Sequence, residues 1–98
     1  MEVEYNFEWD FYKARSNQSK HSVSFQQATQ VFKDLMALTL FDEEHSLDEE
    51  RWTTLGQLPD GQYLLVIHTF EQQGDRIDIR MISARKATRN EICQYEGE

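Results

Sequence analysis

The chain of 98 residues is poor in the residues that punctuate or cross-link a fold: one cysteine, one proline and four glycines. A lone Cys93 excludes an internal disulfide. The longest apolar runs, such as Tyr63 to Ile67, fall far short of the roughly 18 residues that span a bilayer. No N-terminal stretch has the basic start, apolar run and small-residue cleavage site of a secretory signal, so the expectation is a soluble protein of a reducing cytoplasm with no membrane partner. No internal repeat or low-complexity segment is visible, and the length supports one core and not two, hence a single domain over residues 1–98.

Positive charge is also scarce. The formal net charge of −8 excludes a generally basic nucleic-acid binder. The acidity is concentrated, however: residues 1–10 carry −4 and residues 41–60 carry −6, whereas residues 11–40 carry +3. Arg80, Arg85, Lys86 and Arg89 fall within ten residues free of acids, so a local positive surface can coexist with an acidic whole.

What is present reads as an α+β domain. Val3, Tyr5, Phe7 and Trp9 alternate with polar residues, the period of a strand with one buried face. Asp10 is a helix cap, and a helix should run from Phe11 to about Ser19 with Lys13, Asn17 and Lys20 on one face. Ser24 and Gln27 have capping-box spacing, and Phe25, Ala28, Val31, Phe32 and Leu35 give the apolar stripe of a second helix ending near Asp34 to Met36. Strands are expected at Ala37–Phe41, Arg51–Gln57, Gln62–Phe70 and Arg76–Ser83, with turns at Pro59-Asp60-Gly61 and Gln72-Gln73-Gly74-Asp75. Thr88 and Glu91 repeat the capping-box spacing for a short helix to about Tyr95. The expected architecture is an antiparallel meander, two N-terminal-half helices packed on one face, and a short C-terminal helix.

Three clusters are candidates for chemistry. Lys13, Arg15, Asn17, Lys20 and His21 gather cations and a histidine, a residue type suited to proton transfer at neutral pH, although Lys20 and His21 also complement a helix C-terminus. Asp42 to Glu50 with His45 matches no metal-ligand spacing and reads as an exposed acidic loop in which Arg51 is ion-paired. Ser83 to Arg89 places guanidinium groups beside a helix N-terminus, a plausible phosphate site, or else Arg85 pairs with an acid across the sheet. The aromatic group Tyr5, Phe7, Trp9, Phe11 and Tyr12, with Trp52, exceeds what so small a domain buries. Part of it is expected to be covered by a partner or a second copy of the chain.

Trp9-Asp10, Lys13-Ala14, Asn17, Lys20-His21, Val23, Phe25 and Ala28, then Asp42, His45-Ser46, Glu50-Arg51 and Gly56, then Ile82 to Ala87 with Glu91 and Tyr95, occur in an order that resembles the BrnT toxins over nearly the whole chain. Ser22 departs from the glycine common after the histidine in that family. The resemblance implies a RelE-like fold and a metal-independent endoribonuclease without cofactor, the toxin of a type II toxin–antitoxin pair. It further implies a BrnA-type ribbon-helix-helix antitoxin and operator DNA bound only through that antitoxin. For attack of an RNA 2′-hydroxyl on the adjacent phosphate, Arg51, Arg85, Lys20 and His21 are the expected catalytic residues. Lys13, Arg80, Lys86 and Tyr95 are the expected substrate-binding residues. The alternative is a non-catalytic relative acting in antitoxin binding and operon repression.

Overall fold

The computed structural model describes residues 3–97. In chain order the elements are β1 (Glu4–Glu8), α1 (Phe11–His21), α2 (Phe25–Ala28) continued by a 3-10 turn (Thr29–Lys33), β2 (Leu38–Phe41), β3 (Trp52–Gln57), β4 (Tyr63–His68), β5 (Glu71–Gln73), β6 (Arg76–Lys86) and α3 (Arg89–Glu96). Both capping residues foreseen for α1 and α2 act as such: Asp10 accepts from Lys13 N and Ser24 from Gln27 N. Thr88 and Glu91 form the reciprocal capping box of α3. Among the described residues no helix is long and apolar enough to cross a membrane.

The sheet runs β1-β6-β4-β3-β2, with β5 also paired to β6. From β2 to β6 it is antiparallel, as the turn residues imply, but β1 lies parallel to β6 with Tyr5 opposite Ile77 and Phe7 opposite Ile79. The sheet is therefore mixed and not a pure meander. Parallel pairing needs a long connection between partners, and here almost the whole chain supplies it. No local sequence signal announces such a pairing.

Strand alternation assigns the two faces. On one, Leu64, Val66, Ile77, Ile79, Met81 and Ala84 pack with Val23, Phe25, Ala28, Val31 and Leu58 into the core. His68 is buried on the same face: its Nε2 meets the Thr54 hydroxyl at 2.7 Å and its Nδ1 lies 2.8 Å from the Thr69 carbonyl oxygen. Burial lowers its pKa below the usual histidine value, which keeps the ring neutral within the core. Leu55 is buried too, but outside this cluster, on the opposite face beneath α3.

A bulge in β6 sets where these faces meet the helices. Ile67 pairs with Ser83 and His68 with Met81, which leaves Ile82 as the extra residue. Bulges bend a strand and re-aim its side chains. The core-facing series thus jumps from Met81 to Ala84 instead of continuing at every second residue.

Candidate active site

The site is built where β1 stops pairing with β6. The last pair is Glu8 opposite Arg80, and beyond it the main chain of β6 needs another partner on that side. Asn17, in the middle of α1, provides it. Its Oδ1 accepts from Ala84 N at 3.0 Å, and its Nδ2 donates to Ala84 O at 2.8 Å and to Val23 O at 2.9 Å. One side-chain amide thereby stands in for a strand and locks α1 against the bulged half of β6.

The lock fixes the face of α1 that carries Lys13, Asn17 and Lys20. With Ser16, His21, Arg51, Ile82 and Ser83 they line one cavity of about 320 Å³. Four expected site residues, Lys13, Lys20, His21 and Arg51, are thus brought together from α1 and from the residue just before β3, some thirty residues apart. Ser22, immediately after His21, closes α1 in the left-handed region with φ 57°. Glycine adopts that conformation without penalty and serine does not, so Ser22 holds a strained cap.

Arg51 is three-quarters buried. Its Nε is buried with no hydrogen-bond partner among the described residues. An unsatisfied buried donor costs about 1–3 kcal/mol and is uncommon away from functional sites. Glu49 lies 3.6 Å from Arg51 Nη2 and also pairs with Arg80. Hydrogen bonding from Arg80, with charge from both arginines, holds the Glu49 carboxyl below its usual range. Arg80 is therefore tied to the cavity's arginine through a shared carboxylate. The expected ion pairing of Arg51 within the acidic loop takes this form, and Glu49 had no distinguishing signal among six neighbouring acids.

Arg85, Lys86 and Tyr95 lie outside the cavity, and the structure gives two of them other work. Arg85 makes a two-pronged ion pair with Glu91 of α3, at 2.8 and 2.9 Å. Hydrogen bonding from Arg85 draws the Glu91 pKa down to about 2. Arg85 is thus ion-paired, with an acid of α3 and not with one across the sheet. Tyr95 donates to Asp34 at 2.6 Å, and this bond raises its pKa to about 12. It pins α3 to the segment before β2. Lys86 ends β6 and lines a separate hollow with Gln62, Tyr63, Ala87 and Ile92.

The acidic loop is largely exposed and bonded to itself: Asp42 meets His45 Nδ1 at 2.7 Å, and Ser46 Oγ donates to Asp42 O and accepts from Arg51 N. Among the described residues no group of three or more His, Cys, Asp or Glu side chains is arranged to hold a metal ion.

The family model for the ribonuclease toxin, BrnT, of type II toxin–antitoxin systems matches residues 9–91. The chain belongs to the BrnT family. The match includes α1, the acidic loop, every strand from β2 to β6 and the first residues of α3. A crystal structure of the Brucella abortus ribonuclease toxin BrnT at 1.1 Å superposes with a TM-score of 0.61 and 22% identity, over 89% of this chain and 100% of that one. At that identity the likeness establishes a shared fold. No curated protein matches the sequence. Membership of a type II toxin family implies an antitoxin partner for this BrnT chain.

Proposed function

We propose that this BrnT chain is a metal-independent endoribonuclease and that the cavity between α1 and Arg51 holds the scissile phosphate. The observation that carries the reading is the convergence of Lys13, Lys20, His21 and Arg51 on one cavity of an otherwise acidic protein. The 2′-oxygen of RNA attacks phosphorus, the bond to the 5′-oxygen breaks, and the products are a 2′,3′-cyclic phosphate and a 5′-hydroxyl. His21 takes the proton from the 2′-hydroxyl and returns one to the departing oxygen, a contribution of roughly 100- to 10,000-fold. Arg51 and Lys20 meet the charge that grows on the phosphoryl oxygens, and Lys13 binds a flanking phosphate. Arg80 holds Arg51 in place through Glu49. A RelE-like use of the sheet and a BrnA-type antitoxin are part of the same proposal.

The test is cleavage of single-stranded RNA by purified protein in excess chelator, monitored by the cyclic phosphate end. Arg51→Ala is expected to slow cleavage by about 100- to 1,000-fold. Arg85→Ala should leave cleavage within a few-fold while lowering thermal stability. Full activity in Arg51→Ala, or inactivity of the parent chain under all conditions, overturns the assignment. The second outcome would favour a purely regulatory partner of the antitoxin.

A further inference from the structure

The face of the sheet away from the core is only partly covered. Pairing register places Leu38, Leu55 and Leu65 in one row across it and Leu40, Thr53, Ile67 and Ser83 in the next. α3 covers the first row, leaving a groove of about 210 Å³ lined by Leu38, Leu40, Thr53, Leu55, Leu65 and Gln94 along with Glu91. The second row runs from Leu40, 65% exposed at the sheet edge, to Ser83 at the rim of the cationic cavity.

Among the described residues β2 ends the sheet and pairs only with β3. Because Asp42 N bonds to Arg51 O, the residues bonded to β3 are the even-numbered ones, and the backbone groups of Thr39 and Phe41 face the open edge. An apolar open edge is a template for another strand, and proteins commonly blunt one with lysine, proline or a bulge. Here Leu38, Leu40 and Phe41 are all exposed and none of those devices is present within the strand. The loop that follows carries Glu43, Glu44, Asp48 and Glu50, all exposed and without an ion-pair partner among the described residues.

We infer that the antitoxin docks here, through an extended segment that adds to the open edge of β2. Alternate aliphatic side chains of that segment lie against Leu38 and Leu40, and its lysines or arginines meet Glu43, Glu44, Asp48 and Glu50. Charge complementarity selects this occupant: a second copy of the chain brings the same unpaired carboxylates and a net charge of −8, whereas a basic segment is attracted from a distance. Strand addition supplies affinity through main-chain hydrogen bonds and specificity through alternate side chains. The inference rests on the antitoxin partnership of the family and not on the RNA chemistry proposed above. A chain bound along the second row would reach the cavity rim at Ser83.

The experiment uses the full chain purified in complex with its cognate antitoxin. Amide exchange of Thr39 and Phe41 should slow by at least about 100-fold on complex formation, as expected when an edge strand gains a partner. Leu40→Glu should weaken binding by about 100-fold or more, with circular dichroism showing an intact fold because the side chain is exposed. Glu43→Gln combined with Glu44→Gln and Glu50→Gln should weaken it about tenfold and flatten its salt dependence. RNA cleavage by free Leu40→Glu reads out the active site separately. Unprotected Thr39 and Phe41 amides in a stable complex overturn the inference, as does parental affinity in Leu40→Glu. Loss of binding in Phe11→Glu or Tyr12→Glu alone would move the interface to the N-terminal aromatics. A homodimer of the free chain that Leu40→Glu dissolves would make a second copy the occupant.

Discussion

On the face that carries α2, the side chains of Leu64, Val66, Ile79, Met81 and Ala84 are shut away from water, and the polar groups among them, Thr54 and His68, are hydrogen-bonded. On the other face the same strands present Leu40, Thr53, Ile67, Ser83, Arg51 and Arg80, only partly covered. Among the described residues one face is saturated with partners, whereas the other keeps, with the adjoining edge and loop, open backbone, carboxylates without an ion pair and an arginine with an unsatisfied Nε. A sheet with two different faces can assign stability to one and binding to the other, so substitutions on the two faces should fail in different assays. Asn17 stands at the seam between them.

Breaking that seam should have the largest effect. Asn17→Ala removes three well-formed hydrogen bonds and strands the N–H and C=O of Ala84 and the C=O of Val23 in a buried setting. A loss of about 3 kcal/mol is expected, or more than about 10 °C in Tm for a domain of this size. Cleavage should fall as well, because α1 carries Lys13, Lys20 and His21. A Tm within 3 °C of the parent, roughly the effect of half a kcal/mol, would show that α1 is held by apolar packing alone.

Asn17 also marks the limit of what could be read from the chain. Helix caps, turns and the α1 face are local features, set by residues three or four apart, and Asp10, Ser24, Thr88 and the Lys13-Asn17-Lys20 stripe are found where the spacing puts them. The parallel β1–β6 pair and the amide of Asn17 paired with Ala84 depend on contacts 72 and 67 residues apart, and the bulge at Ile82 on the register of β6 against β4, for none of which the sequence carries a local mark. The same reason separates the site residues: Lys13, Lys20 and His21 are neighbours on one helix, and the place of Arg51 beside them required the fold. The capping box at Thr88 predicts α3 but not that α3 folds back to occupy Arg85 and Tyr95. The exposed aromatics were legible in composition, and Tyr5, Trp9, Phe11 and Tyr12 are 40, 38, 63 and 75% exposed. Trp52, by contrast, is half-buried between Phe41 and Phe70.

A paired substitution on β3 sharpens the comparison of faces. Gly56 faces the core, and a Cβ there would sit 2.9 Å from Val31 Cβ and 3.1 Å from the Val31 carbonyl oxygen. The 3-10 turn cannot retreat without disturbing Val31, so Gly56→Ala should cost about 2 kcal/mol by overpacking. Thr53, three residues earlier and on the open face, should accept valine within about 0.5 kcal/mol. Urea unfolding of both variants decides it. Equal midpoints would mean that the two faces are packed alike.

The smallest expected effect concerns the clasp of α3 onto the open face. Glu91 has its pKa drawn down from the usual 4.5 to about 2, first by hydrogen bonding from Arg85 and further by the Thr88 backbone and the Arg85 charge, against the cost of burial. A carboxylate whose folded pKa is depressed binds fewer protons folded than unfolded between those two values. Its contribution is therefore fully present above about pH 4.5 and is lost as the pH falls toward 2. Because the pair is partly exposed, solvent screening limits its worth to about 1 kcal/mol or less. Glu91→Gln should be less stable than the parent by that amount at neutral pH, with the difference closing between pH 4.5 and 2 as the parent carboxylate is protonated. Urea midpoints measured across that range give the difference directly, and amide exchange locates it. Faster exchange confined to α3, with β4 and β6 unaffected, would show the clasp failing independently of the core. A stability difference that does not change with pH would assign the effect of Glu91 to its side-chain packing and capping of Thr88, and the ion pair with Arg85 would be bystander geometry.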